Sequence, residues 1–491
     1  MTRDTRSPTI IWFRDDLRLA DNPALLAAVD AGGPVIPVFI DETGPDSLRG
    51  LGGAARWWLH GSLDALDGSL RALGSRLVMA RGDALPVLRA LANATGADEI
   101  VWNRRYHPDA REVDALIKSS FEADGRKVTS FNGALLVEPW EVSTGEGSFY
   151  RVYSPFARSA RQALGAVRTR PAPTGRIPSP AQWPDSLSLA DLKLRPTTPD
   201  WAGGLRETWT PGETAAGETL RNFIDERLSR YKTKRDFAAV DATSRLSPHL
   251  RFGEISPRAV WTALSRVAED ASGAAERQAA EKFLSELLWR EFSYHLLYHL
   301  PPLEQANVQD KFDAFPWRQS DDRRAAWEAG ATGYPIVDAG MRQLWQTGWM
   351  HNRIRMVVAS FLTKDLLVDW RDGEAWFWDT LVDADAANNP ASWQWVSGSG
   401  ADAAPYFRVF NPVLQGKKFD PDGAFVRAYV PELAALPDKY LHEPWTAPAD
   451  VLEEAGVQLG ETYPEPIVDH PTARQRALDA YATLKDRRDA A

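Results

Sequence analysis

Short apolar runs recur along the first quarter of the chain at the spacing of strands separated by helices. Thr9–Phe13, Val35–Ile40, Arg76–Met79, Glu99–Trp102 and Lys127–Phe131 are rich in β-branched and aromatic residues and read as strands. Helical patterns fill the gaps at Pro23–Asp30, Ala54–Leu73 and Ala84–Thr95. Near-continuous apolar strands joined through helices predict a parallel sheet covered on both faces. The expectation is an α/β, Rossmann-like domain over residues 7–135.

The pattern then changes. Residues 136–217 read as an interdomain linker, punctuated by Pro171, Pro173, Pro178, Pro180, Pro184, Pro196 and Pro199. From 218 to 487 helical periodicity dominates. Glu218–Arg230, Pro257–Val267, Glu276–Leu297, Tyr334–Thr347, Asn352–Leu367, Gly373–Leu381 and Thr472–Arg487 all read as helices. The second domain is therefore expected to be all-α.

Composition narrows the chemistry. A chain of 491 residues suits two cores rather than one. No apolar stretch reaches the roughly 18 residues of a membrane span. The N-terminus lacks the pattern of a signal peptide, so a cytoplasmic location is expected. The absence of Cys excludes disulfides, thiolate metal sites and cysteine nucleophiles, and the 8 His form no HExxH pair. No metal is expected. The net charge of −10 speaks against a polyanion partner, but a local basic patch can override it. The 20 Trp crowd into the second half. Core packing is the ordinary explanation for any single one.

Several motifs carry chemistry. Gly398-Ser-Gly400-Ala-Asp-Ala403 and Gly50-Leu-Gly52-Gly53-Ala-Ala55 fit a loose dinucleotide fingerprint without its strand–turn–helix context or its acid, so neither supports nucleotide binding. Arg221–Arg235 is basic, as a solvated helix face or a phosphate-contact surface would be. Thr243-Ser-Arg-Leu-Ser247 offers hydroxyls and amides at a helix start, either a plain cap or an anion site. Glu286-Leu-Leu-Trp289-Arg290 puts a carboxylate, an indole and a guanidinium on one helix face: a salt bridge beside a core indole, or a wall for a planar ligand. Asp383-Ala-Asp385-Ala-Ala-Asn-Asn389-Pro-Ala-Ser-Trp393-Gln-Trp395 packs carboxylates, amides and indoles into what reads as an irregular stretch. Buried, those polar groups need partners, which a heteroaromatic ligand supplies.

Together these residues resemble the DNA photolyase/cryptochrome family over nearly the whole chain. Ile11–Asn22, Thr243–Ser247, Leu288–Phe292, Thr332–Asp338, Gly348–Arg353, Asp383–Trp395 and Asp402–Asn411 carry the resemblance. It implies FAD in the helical domain. Tyr231, Thr243, Ser244, Arg245, Leu246 and Ser247 match its phosphate and adenosine side, and Arg355, Asp383, Asp385 and Asn389 match its ring. Arg290 belongs to the same flavin-binding set, and Phe283 stands where many relatives have Trp. Trp393, Trp370 and Trp317 match a three-tryptophan chain that reduces the flavin. Glu286, Trp289, Asn352, Met356 and Trp395 match the pocket for a flipped lesion, and Arg235, Arg353 and Gln415 match DNA-backbone contacts. The implied reaction is light-driven electron transfer from reduced flavin to a cyclobutane pyrimidine dimer in UV-damaged DNA.

Branch-specific residues refine this. Relatives that repair (6-4) photoproducts tend to carry His at positions 352 and 356 and Gln at 286. Plant cryptochromes tend to have Asp at 389. Asn352, Met356, Glu286 and Asn389 all favour dimer repair, and Arg56–His60 with Val396–Asp402 look like the bacterial class III branch. Trp102–Ala110 lacks the Asn-Glu pair of folate-binding relatives. The antenna is expected to be methenyltetrahydrofolate bound differently, on the class III likeness, with a deazaflavin or no antenna as the alternatives. A monomer is expected. The rivals are a signalling cryptochrome, a dark flavoprotein without photochemistry and, most remote, a nicotinamide dehydrogenase.

Overall fold

The computed structural model describes residues 6–43, 49–402 and 407–489. Within the Asp402–Asn411 motif, residues 403–406 lie outside the described residues. The first-quarter strands form one parallel sheet: β1 (Thr9–Phe13), β2 (Val35–Glu42), β3 (Val78–Gly82), β4 (Glu99–Asn103) and β5 (Lys127–Phe131), in the order β3-β2-β1-β4-β5. The chain starts at the centre, winds to one edge and returns to build the other. All five residues of β1 are buried, as continuous apolar composition requires. β3 begins two residues later than its composition suggests. The Leu77 amide donates to the Asp67 carboxylate at 2.8 Å and the Arg76 guanidinium to the Pro184 carbonyl at 3.1 Å, so the ladder starts at Val78.

Two compact units emerge. One takes in residues up to Ala202 with Trp209–Ser229 and Ser244–His299; the other takes in Gly203–Thr208, Arg230–Thr243 and Leu300 onward. The helices Pro257–Asp270 and Ala274–His299 thus count with the sheet. Buried polar groups tie the segment just ahead of them into that unit. Arg18 is 1% exposed and donates to the carbonyls of Gly253 (2.9 Å), Asp21 (2.8 Å) and Gly133 (2.6 Å). Glu254 accepts from the Trp58 indole (3.1 Å), the Ser62 hydroxyl (2.5 Å) and the Gly212 amide (2.7 Å) and pairs with His249. The Arg56–His60 likeness therefore includes a core indole. Buried donors and acceptors must be matched, and these are.

Glu291 is buried on the Ala274–His299 helix, where it accepts from the Leu136 amide at 2.7 Å and pairs with Arg290 at 3.0 Å. Burial outweighs both and pushes its carboxyl up to about 7. A folded-state value above the unfolded one means that protonation favours the fold. That contribution is complete below the unfolded value near 4.5 and is lost as pH rises through about 7. Melting temperature is expected to fall between pH 6 and pH 8, and less so in Glu291→Gln. Scanning calorimetry at the two pH values checks it.

In the second unit the core gathers Trp327, Phe361, Trp370, Phe377 and Trp393. Asp338, fully buried, accepts from the Thr332 amide (2.7 Å), the Thr332 hydroxyl (2.6 Å), the Gly333 amide (3.1 Å) and the Tyr463 hydroxyl (2.6 Å). Gly333 has φ +78, and a Cβ there would meet the Glu465 carbonyl oxygen at 2.4 Å. The Thr332–Asp338 motif is thus a packing device. No described helix is long and apolar enough to cross a membrane.

Candidate active site

In the first unit, residues 244–247 turn sharply. Arg245 has φ +55, and the Leu246 amide donates to Ser244 Oγ at 3.3 Å. A short helix, Ser247–Arg251, starts there, with Leu246 buried. Phe283 packs against Phe223 with ring centroids 4.8 Å apart.

Along the Ala274–His299 helix, Glu286 and Trp289 lie three residues apart on a partly exposed face. Glu286 pairs with Lys282 at 2.6 Å. Trp289 lies flat on Tyr153, with centroids 3.7 Å apart and planes 5° from parallel. Arg290 donates to the Ala134 carbonyl at 3.1 Å and sits 4.6 Å over the Tyr294 ring.

The other residues named from the sequence lie in the second unit. Tyr231 is buried, and its hydroxyl oxygen accepts from Arg235 at 3.1 Å. Thr243 is half-buried. The helix Asn352–Ser360 places Asn352 and Met356 one turn apart. Beside them, Arg353 pairs with Asp236 at 3.1 Å and covers the Phe419 ring at 4.4 Å. Arg355 donates to the Met350 carbonyl at 2.8 Å and to Asp383 Oδ2 at 2.8 Å. The other oxygen of Asp383 is buried without a hydrogen-bond partner among the described residues. Leaving it so is costly, and a ligand N–H at that point removes the cost. A flavin ring, with its N–H and carbonyl edge, fits that requirement.

Asp385 accepts from the amides of Ala387 (2.8 Å) and Asn388 (2.6 Å) and from the Asn388 side chain (2.7 Å). A carboxylate that collects the leading amides starts a helix. Asn388–Ser397 is helical, which corrects the expectation of an irregular stretch through Trp395. Asn389 donates to the carbonyl (3.1 Å) and carboxylate (2.8 Å) of Glu374, which leaves its amide oxygen for another donor. Sequence reasoning passed over Glu374, because nothing in its local pattern marks a partner 15 residues away.

Trp393 is buried, with edge contacts to Phe377 at 4.9 Å and Trp327 at 6.2 Å. Trp370 is fully buried, and its indole donates to Asn307 at 2.9 Å. Trp317 is half-buried, 4.4 Å from Phe315. Burial thus lessens from Trp393 and Trp370 to Trp317. Trp393 and Trp370 do not stack directly. Trp393 instead meets the helix Trp370–Thr380 at Gly373, where a Cβ would stand 2.2 Å from its ring. Trp395 is half-buried and donates to the Asp402 carbonyl at 3.1 Å. A cleft beside it is lined by Lys364, Phe407, Arg408, Phe410 and Tyr481, and burial pushes the pKa of Lys364 well below the usual lysine value. Gln415 Oε1 is buried without a partner among the described residues.

Comparisons with known proteins identify the family. The family model for DNA photolyase matches residues 9–178, and that for the FAD binding domain of DNA photolyase matches 283–483. The deoxyribodipyrimidine photo-lyase of Agrobacterium fabrum is 55% identical over 479 residues, covering 98% of each chain. Cryptochrome-2 of Arabidopsis thaliana is 38% identical, covering 97% of this chain and 79% of its own. The crystal structure of a bacterial class III photolyase from Agrobacterium tumefaciens superposes with a TM-score of 0.94 at 54% identity, covering 99% of this chain and 100% of the other. With both halves matched by photolyase models and the identity extending nearly end to end, the chain belongs to the DNA photolyase/cryptochrome family.

Proposed function

We propose that this chain is a deoxyribodipyrimidine photo-lyase that splits cyclobutane pyrimidine dimers in UV-damaged DNA. Identity of 55% over nearly the full length of the Agrobacterium fabrum enzyme carries the reading, with cryptochromes more distant. Reduced FAD, when bound, would supply under blue light the electron that opens the dimer and would take it back once the ring bonds have broken. The chain positions and tunes. Tyr231, Phe283, Arg290 and residues 243–247 would hold the cofactor's phosphates and adenosine side. Arg355, Asp383, Asp385 and Asn389 would hold its ring, with the unpaired Asp383 oxygen as the supporting observation. Trp317, Trp370 and Trp393 relay electrons inward from the surface.

Photolyases are among the enzymes that take a base out of the stack before acting on it, at least cost where damage has already weakened pairing. Glu286, Trp289, Asn352, Met356 and Trp395 receive the flipped dimer. Glu286 offers a hydrogen bond to a pyrimidine edge. Arg235, Arg353 and Gln415 contact the DNA backbone, as phosphate-facing cations and amides do. Methenyltetrahydrofolate is the antenna on the class III similarity, with deazaflavin as the alternative; the absorption spectrum of extracted chromophore distinguishes them.

The test is blue-light repair of a single thymine dimer in an oligonucleotide by purified, reduced protein. Light-dependent loss of the dimer is the expected result. A protein that binds and photoreduces flavin but leaves the dimer intact in light would overturn the reading in favour of repair of the (6-4) photoproduct and, failing that, of a cryptochrome.

A further inference from the structure

Residues 136–217 read from sequence as a linker, yet a ring from this segment touches the lesion wall. Tyr153 opens the helix Tyr153–Leu164. Its ring stacks on the Trp289 indole, 3.7 Å between centroids and 5° from parallel. Its hydroxyl donates to the Ser285 carbonyl at 2.7 Å and lies 2.8 Å from Ser285 Oγ. In an α-helix the carbonyl of residue 285 is also the acceptor for the amide of residue 289. One side chain therefore grips both ends of a single helical turn, the turn that carries Glu286. Phe292 meets both rings edge-on, 6.0 Å from Trp289 and 6.1 Å from Tyr153.

We propose that Tyr153 is a positioning residue for the substrate: it pins the Trp289 indole flat and leaves the opposite indole face to stack on the flipped dimer. The inference rests on Trp289 being part of the lesion wall. Face stacking uses one side of an indole at a time, so tyrosine and pyrimidine occupy opposite sides. Base–aromatic stacking is worth about 1–3 kcal/mol per base. An indole that must first be ordered gives part of that back as lost rotamer freedom. Burial and the nearby Glu286 charge raise the phenol's pKa, so the hydroxyl stays a donor at neutral pH.

The test uses reduced, flavin-loaded protein and a fluorescent oligonucleotide with one thymine dimer. Tyr153→Leu is expected to weaken dimer binding roughly tenfold, with affinity for undamaged DNA unchanged. Tyr153→Phe keeps the stacked ring and is expected to restore binding to within about threefold of wild type. Combining Tyr153→Leu with Trp289→Ala is expected to be no worse than Trp289→Ala alone. Wild-type binding by Tyr153→Leu, or an additive double-variant loss, overturns the positioning role while Trp289→Ala still binds weakly. Wild-type binding by Trp289→Ala would instead remove the lesion-wall reading itself.

Discussion

Trp393→Phe is expected to abolish blue-light reduction of oxidised flavin while leaving flavin binding and repair by chemically reduced protein in place. The side chain is buried against Phe377 and Trp327, so a benzyl group in its position keeps most of the packing. What changes is the oxidation potential, since a phenyl ring gives up an electron far less readily than an indole. Trp370→Phe is expected to act in the same direction, because Trp370 is equally buried and starts the helix that Trp393 contacts. Absorbance of oxidised flavin during illumination with an external reductant checks both. Photoreduction at the wild-type rate in Trp393→Phe would show that another residue is the first donor.

Asp338→Ala is expected to cost the fold about 3–5 kcal/mol, among the largest single-residue losses in the second unit. The carboxylate is fully buried and serves four donors: the Thr332 amide and hydroxyl, the Gly333 amide and the Tyr463 hydroxyl. Truncation strands all of them without water. Tyr463→Phe removes a single donor and is expected to cost about 1 kcal/mol. Denaturant unfolding of the flavin-free proteins separates the two variants, and equal midpoints for Asp338→Ala and wild type would refute the account.

The sheet was legible because its strands are continuous apolar runs of the length a buried parallel ladder needs, as at Thr9–Phe13 and Glu99–Asn103. The helices with polar starts were harder to read. Asp and Asn at 383–389 look like loop residues by composition. Their helix begins only because Asp385 captures two amides just ahead of it. Motifs pointed to the residues of the candidate site, but not to what supports them. Glu374 behind Asn389, Gly373 against Trp393 and Tyr153 on Trp289 are contacts made across helices, and hydrophobic periodicity carries no record of such pairings. Asp338 and Tyr463 meet across 125 residues for the same reason.

Arg18 carries a lesson about synthesis. Its guanidinium is satisfied in part by the Gly253 carbonyl, 235 residues downstream, and Trp58 and Ser62 wait equally for Glu254. A ribosome working at about 5–20 residues per second has the sheet strands outside the exit tunnel many seconds before those partners arrive. Through that interval the guanidinium and the indole N–H bond to water in place of their final partners. A fragment cut at the end of the strands would leave both groups hydrated rather than buried, so the α/β portion is completed only when Gly253 and Glu254 have been made.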